Sequence, residues 1–272
     1  MRACPNCGNK EYKERIREKD FIIGECKGCG LTYLLNPPDE KEIYEDYYTI
    51  EFKGDDYRKD SPYEHLSEIF EINRQRVAFI RSLTQQVFKS AGNNFTLLDI
   101  GCGTGLFLKS CTAAGFRVSG IDVSMNALNF ARENYKLDVS SKTLDDLLKE
   151  GKKYDIITMW HVLEHIMNPV EELKKVRGIL KEGGLLIVEV PNLNSVKFRL
   201  SGKKWKGGNH PLYHRSFFTA GTLKDTLIKG GFSKTELRNL PYILENKGFL
   251  YNQSKKVFNK FSADAFLDVT AS

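Results

Sequence analysis

The sequence predicts an α/β protein: a doubly wound, mostly parallel sheet preceded by a small N-terminal metal module. Three observations carry this. From residue 95 onward short apolar runs alternate with helical patterns, the first of those runs leads into a glycine-rich turn, and four of the six cysteines fall in two close pairs before residue 30. Strand-helix alternation is the signal of a parallel sheet with helices on both faces, and it places a ligand at the carboxyl ends of the strands. A chain of 272 residues, at about 150 per domain, holds one large domain plus something small. Apolar residues at 41% and charged residues at 28% exclude disordered and collagen-like classes. The best apolar run, 184–190, is of strand length and contains Glu189, far short of the roughly 18 residues a membrane helix needs. Met1-Arg2-Ala3-Cys4-Pro5 has no apolar core for a secretory signal, so a soluble, cytoplasmic protein is expected.

The N-terminal segment reads Cys4-Pro5-Asn6-Cys7-Gly8 and, with 18 residues between the two cysteine pairs, Cys26-Lys27-Gly28-Cys29-Gly30. Two C-x-x-C-G turns supply the four thiolates of a tetrahedral zinc ion, and the glycine after each pair lets backbone amides approach the sulfurs. The strand-like residues 11–25 form a hairpin that brings the turns together. A module of about 35 residues builds no core of its own, so the metal supplies its folding energy. Four thiolates close the coordination sphere, and Cys4, Cys7, Cys26 and Cys29 are therefore expected to hold a structural Zn2+, not a catalytic one. The ribbon takes residues 1–36. Residues 37–92 form a linker with a helix in their second half; Tyr44, Tyr47, Tyr48 and Tyr57 there suit either a lid or plain packing. A catalytic domain follows over 93–247, and 248–272 form a loosely ordered or amphipathic extension.

Within the catalytic domain the apolar runs predict strands over Thr96–Ile100, 117–122, Tyr154–Trp160 and 185–191. The helical patterns predict helices over 105–114, Met125–Tyr135 and 170–180, the last ended by Glu182-Gly183-Gly184. The first strand runs into Asp99-Ile100-Gly101-Cys102-Gly103-Thr104-Gly105, where glycines let the backbone lie directly under a ligand. The loop is G-x-G-x-G and not the dinucleotide G-x-G-x-x-G. Asp99, two residues before the first glycine, would sit poorly beside a pyrophosphate. Asp122, about 20 residues on at the end of the next strand, is placed to accept both hydroxyls of a ribose. A ligand with a ribose, an adenine and a cationic amino-acid portion, but no phosphate, suits such a site; S-adenosylmethionine is such a ligand.

At this point the chain resembles the class I S-adenosylmethionine-dependent methyltransferases, whose fold is a Rossmann-like sheet. The resemblance spans residues 97–232. It rests on the glycine loop, on Gly120-Ile121-Asp122-Val123-Ser124, on the stretch from Tyr154 to His165, and on the stretch from Leu180 to Asn192. It implies that Gly101 and Gly103 underlie the amino-acid portion of the cofactor and that Asp122 binds the ribose. Asp99, Cys102, Gly105, Val123, Leu144, Trp160 and His161 border the same pocket, with residues 143–146 near the adenine. Thr143 or Asp145 occupies the slot where the family often has a carboxylate. His161-Val162-Leu163-Glu164-His165 also matches the H-x-x-E-H string of inverted zinc proteases, but Asn168-Pro169 cuts off the helix that such a site requires. In the methyltransferases a Glu-His pair at this place holds the cofactor pocket and faces the substrate. Quinone-pathway O-methyltransferases hold a divalent ion with a similar stretch, and His161 stands where their first glutamate would be.

The acceptor is expected at an insertion over 192–218. Gly208-Asn209-His210-Pro211-Leu212-Tyr213-His214-Arg215 precedes a predicted helix, and related sugar and natural-product enzymes carry a histidine-rich loop here. A hydroxyl acceptor must lose its proton as it attacks, which suits a histidine, so His165, His210 and His214 are the catalytic candidates; capping or packing is the alternative for each. Lys197, Arg199, Lys203, Lys204 and Lys206 form a run of cations around Trp205, either a solvated loop or a contact for a phosphate-bearing acceptor such as a nucleotide sugar, or for RNA. The leading reading is O-methylation of a small molecule or glycan. An RNA methyltransferase fits 41 basic against 35 acidic residues but lacks the N-P-P-[YF] motif of amide-type enzymes. C-methylation of a nucleotide keto-sugar and a non-catalytic cofactor-binding scaffold remain as alternatives.

Overall fold

The computed structural model describes residues 1–38, 66–89, 94–195, 213–238 and 266–271. The tyrosines of 44–57, the cations of 197–206 and His210 lie outside the described residues. The N-terminal part forms an antiparallel hairpin of β1 (Tyr12–Arg17) and β2 (Ile22–Cys26), extended by β3 (Thr32–Leu34) on the other edge of β2. After α1 (Leu66–Phe88) strands and helices alternate: β4 (Thr96–Ile100), α2 (Leu106–Ala113), β5 (Arg117–Ile121), α3 (Met125–Tyr135), β6 (Val139–Ser140), α4 (Leu144–Glu150) and β7 (Tyr154–Trp160). A 3-10 turn (Leu163–His165), α5 (Pro169–Ile179), β8 (Leu180–Pro191), β9 (Ser216–Phe217), α6 (Ala220–Lys229), β10 (Thr235–Arg238) and β11 (Phe266–Ala271) complete the order.

The main sheet runs β10-β11-β8-β7-β4-β5-β6. The five strands from β8 to β6 are mutually parallel, and β11 lies antiparallel between β8 and β10. Leu97, Leu98, Ile156, Ile157, Met159, Leu186, Ile187 and Val188 are wholly buried, the near-continuous apolar lining of strands covered on both faces. Local chemistry bounds the helices. Ser124 caps α3 by accepting from the Ala127 amide, and Thr143 with Asp146, like Thr219 with Thr222, closes a reciprocal capping box at the start of α4 and α6. Among the described residues no helix is long and apolar enough to cross a membrane.

Three sequence expectations change. The glycines at 183 and 184 do not stop a helix: α5 ends at Ile179, Leu180 is already extended, and Gly183 at φ 68° sits inside β8, where the β7–β8 register slips between Tyr154 and Ile156. The extension from 248 contains β11, which pairs antiparallel with β8 on one side and β10 on the other. The ribbon, finally, is not closed by its own residues. β9, more than 180 residues later, pairs with β3 through Thr32↔Phe217 and Tyr33↔Ser216.

This pairing joins two cores that the sequence separates. Leu31, Tyr33 and Leu35 of the ribbon are at most 1% exposed and share one apolar cluster with Leu173 and Val176 of α5, Leu223 of α6, and Phe218. Full burial of each such side chain contributes roughly 1.5–3 kcal/mol, so the ribbon is fastened by packing as well as by its sheet. A second cluster on the opposite face of the sheet joins Ile80 and Leu83 of α1 to Phe107, Leu128 and Trp160.

Candidate active site

Each C-x-x-C turn closes through its glycine. Gly8 and Gly30, at φ 73° and 76°, donate to the carbonyls of Cys4 and Cys26 at 2.9 Å, a left-handed turn that other side chains rarely adopt. The hairpin then sets Sγ of Cys4 3.6 Å from Cys29 and Sγ of Cys7 3.4 Å from Cys26, with all four sulfurs within 4.8 Å of one another. Tetrahedral bonds of about 2.3 Å put sulfurs about 3.8 Å apart, so the set fits one zinc ion.

At the carboxyl ends of β4, β5 and β7 lies a cavity of about 710 Å³. The glycine turn above β4 is held by Ile121, whose carbonyl accepts from the amides of Gly101 and Cys102 at 2.8 and 3.1 Å. Gly103 has φ 50° and a Cβ there would meet nothing within 4 Å, so the loop presents open backbone. Asp122 ties the turn down: Oδ2 accepts from the Gly103 amide and Oδ1 from the Ser124 amide, both at 2.8 Å. Burial pushes the Asp122 carboxyl above its ordinary range, against the pull of the Ser124 and Gly103 amides. Asp99 sits beneath the loop at 3% exposure and accepts from the Thr158 hydroxyl at 2.6 Å. Burial pushes Asp99 to about 7, opposed by Thr158 and by the Arg76 charge and assisted by the Asp122 charge.

Of the expected cofactor residues, Gly101, Asp122, Val123, Leu144 and His161 line the cavity. Asp99, Cys102, Gly103, Gly105 and Trp160 are not in its wall. Cys102 packs against Gly120, and Gly105 starts α2 against Leu137 and Ala131. Trp160 lies edge-on to Phe107 with the Arg76 guanidinium 4.2 Å from its ring. Val123, 63% exposed, offers an apolar face to a flat ligand. Thr143 spends its hydroxyl on the cap of α4, and Asp145 lines the cavity while paired with Lys175 at 2.7 Å.

The far side of the cavity is lined by His161, Val162, residues 165–168, Tyr213 and Arg215; Glu164 and His214 lie behind that wall. His161 adopts φ 57° at the end of β7, and its amide donates to the Glu189 carbonyl at 2.9 Å. Its ring bridges two buried carboxylates, Glu189 at 2.9 Å and Glu164 at 3.4 Å, while Arg76 of α1 pairs with Glu189 from behind. Burial disfavours the charged ring, but these carboxylates outweigh it and push His161 up to about 9. Residues 163–165 form a 3-10 turn, so His161 and His165 do not share a helix face as a protease site would need.

His165 lines the cavity, and its Nδ1 lies 3.0 Å from the Tyr213 carbonyl oxygen. A carbonyl only accepts, so Nδ1 carries the proton and Nε2 of the neutral ring keeps its lone pair. His214 packs edge-on against His165 at 4.8 Å. A Glu164 oxygen and a ring nitrogen of each of these histidines lie within 4.8 Å of one another. Glu164 is 1% exposed and neither carboxylate oxygen is hydrogen-bonded; burial raises its carboxyl, but the His161 ring and the charges of His165 and His214 prevail and hold it below the usual range. Sequence reasoning singled out neither Glu189, Arg76 nor the cavity-lining Arg215; the one available signal was a lone acid inside the apolar run of β8.

Residues 72–237, more than half of the chain, match the model of a family described as a methyltransferase domain. The chain is similar to the ubiquinone biosynthesis O-methyltransferase of Glaesserella parasuis serovar 5, 34% identical over 139 residues that cover 47% of this chain and 57% of that protein. It is also similar to the protein of that name from Marinobacter nauticus, 26% identical over 196 residues, 66% of this chain and 79% of that one. The chain spans less than two thirds of the length of the Glaesserella relative. Among solved structures it is similar to the plantazolicin methyltransferase BpumL in complex with a monoazolic desmethylPZN analog and SAH, with TM-score 0.59 and 21% identity, covering 85% of this chain and 95% of that chain. That likeness is one of fold.

Proposed function

The chain belongs to the class I S-adenosylmethionine-dependent methyltransferases, through the methyltransferase-domain family that residues 72–237 match, and from there we propose that it methylates a hydroxyl oxygen of a small molecule or glycan with His165 as the base. The observation that carries this reading is the single cavity shared by Gly101, Asp122 and a His165 ring whose proton is held on Nδ1 by the Tyr213 carbonyl. The named ubiquinone-pathway relatives support a hydroxyl acceptor.

S-adenosylmethionine supplies a methyl group already activated on a sulfonium. The chain therefore has to bind, align and take one proton. Asp122 receives the ribose hydroxyls on the lone pairs that Gly103 and Ser124 leave unused. Val123 and Leu144 would flank the adenine, and the glycine turn, with open backbone at Gly103 and the Asp99 carboxyl beneath it, would underlie the amino-acid portion. On the acceptor side, His165 Nε2 takes the hydroxyl proton as the oxygen attacks. Glu164, buried among three histidines, stabilises the imidazolium that results, and His161 with Glu189 and Arg76 balances the buried charge. Cys4, Cys7, Cys26 and Cys29 hold a structural zinc ion that folds the ribbon of residues 1–36 and leaves no position for a reactive water.

The test is methyl transfer from labelled cofactor into two pools, nucleotide sugars with small metabolites and total RNA, by wild type, His165→Gln and a His210→Ala/His214→Ala pair. Label is expected in the small-molecule pool and to fall by about 100-fold or more in His165→Gln, the scale of a lost general base. Label in RNA overturns the substrate class, and an undiminished His165→Gln overturns the base. The Glu164 carboxylate, which has no hydrogen bond beyond its ion pair with His161, favours a second reading. Glu164, His165 and His214 have the donor set of a divalent ion, which would supply acidification of the hydroxyl in place of a base. One metal equivalent per chain, lost in Cys26→Ser, leaves only the ribbon site; a second equivalent lost in His214→Ala establishes the ion.

A further inference from the structure

We propose that Arg2 is a positioning residue for the acceptor side, through which the cysteine ribbon holds both walls of that end of the cavity in register. The proposal rests on reading residues 161–168 and 213–215 as the acceptor side.

One guanidinium serves three backbone carbonyls from three distant segments. Nε donates to Leu34 at 3.0 Å, Nη1 to Met167 at 3.0 Å and Nη2 to Arg215 at 3.1 Å. Leu34 ends the ribbon strand β3. Met167 follows the turn that carries Glu164 and His165, and Arg215 directly follows His214; both line the cavity. The two walls meet where the Arg215 amide donates to the Glu164 carbonyl at 2.7 Å, and the Leu34 amide donates back to the Arg215 carbonyl at 3.1 Å. Arg2 is thus the side chain in which the ribbon and both walls converge.

The residue type matters. Only a planar fork with five donors reaches three carbonyls at once; an ammonium has the charge but not the span. Tyr33 lies 5.6 Å beneath the guanidinium and keeps its plane, while the Arg2 amide is fixed to the Leu35 carbonyl at 3.0 Å. Cys4, two residues on, enters the four-sulfur cluster. A continuous path therefore runs from the metal knuckle through Arg2 to the segments that bear His165 and His214. The cofactor half has its own ties, through Asp122 to Gly103 and Ser124, and Arg2 touches none of them. The ribbon acts on one half of the site.

The test uses the full-length zinc-loaded protein and its Arg2→Gln and Arg2→Lys variants. Amide hydrogen exchange is read at Leu34 and Arg215 against Gly103 and Ser124, nitrogen NMR at the rings of His165 and His214, and calorimetry for S-adenosylhomocysteine affinity. The proposal expects both variants to speed exchange at Leu34 and Arg215 at least tenfold and to shift both ring signals. Exchange at Gly103 and Ser124, the S-adenosylhomocysteine Kd and the zinc content stay within about threefold of wild type. Chelating zinc from the wild-type protein gives the same split pattern without any substitution. Exchange at Leu34 and Arg215 within twofold of wild type overturns the proposal. So does a uniform rise that includes Gly103 and Ser124 with loss of S-adenosylhomocysteine binding, which makes Arg2 a general stabiliser. None of these readouts needs an acceptor, so an acceptor pool without label sinks the hydroxyl reading and leaves this result standing.

Discussion

Asp122→Ala is the sharpest perturbation of the cofactor half. The carboxylate has two oxygens, each already accepting one amide at 2.8 Å, and each retains one further lone pair, which is the number a ribose diol requires. Hydrogen bonds to a charged group are worth about 1.5–3 kcal/mol each, but the two to one sugar are not additive. A loss of roughly 1–3 kcal/mol in binding follows, about 5- to 150-fold in Kd. The substitution also orphans the Gly103 and Ser124 amides, and the first of these keeps the glycine turn in place. Unliganded stability should therefore fall by about 1–2 kcal/mol as well. Asp122→Asn separates the two effects, because a carboxamide accepts from one amide and opposes the other with its own N–H groups. Titration calorimetry with S-adenosylhomocysteine, on protein shown by circular dichroism to be folded, reads the affinity. A Kd within threefold of wild type in the folded Ala variant would refute the placement of the ribose on Asp122.

Asp99 predicts a pH dependence. Its carboxyl stands at about 7 folded against 3.8 ordinarily, so between these values the folded state binds a proton that the unfolded state has released. Stability is therefore highest below pH 3.8, declines as the pH rises to about 7 and is flat above. Asp99→Asn keeps an acceptor for Thr158 and cannot ionise. It should be more stable than wild type by about 1–3 kcal/mol at pH 8 and show little advantage near pH 4, by urea titration; parallel curves across that range would refute the buried charge. Gly105→Ala places a Cβ 2.5 Å from Leu137 Cδ1 at φ 77°, which should cost about 2–4 kcal/mol from the left-handed backbone and the clash together. Unfolding within 1 kcal/mol of wild type would show that the start of α2 yields.

Much of this protein was decided by short-range chemistry. The C-x-x-C-G turns depend on residues within a few positions of each cysteine, and a glycine that must be left-handed declares itself. The strand Thr96–Ile100, the turn after it and the helix Met125–Tyr135 were all legible for that reason, and Asp122, His161 and His165, which the sequence singled out, line one cavity. What the residues could not announce was pairing by backbone. The carbonyl of Tyr213 sets the tautomer of His165, those of Leu34, Met167 and Arg215 gather on Arg2, and β9 closes the ribbon sheet. A carbonyl is the same in every residue and leaves no mark in the sequence. Glu189 was hidden differently: its charge is tolerable within an apolar strand only because Arg76 and His161 arrive there from other elements. The sequence by itself determined the cysteine knuckles and the glycine turn, where the needed groups are neighbours in the chain. The far side of the cavity, assembled from segments that meet only on folding, was decided by the tertiary structure.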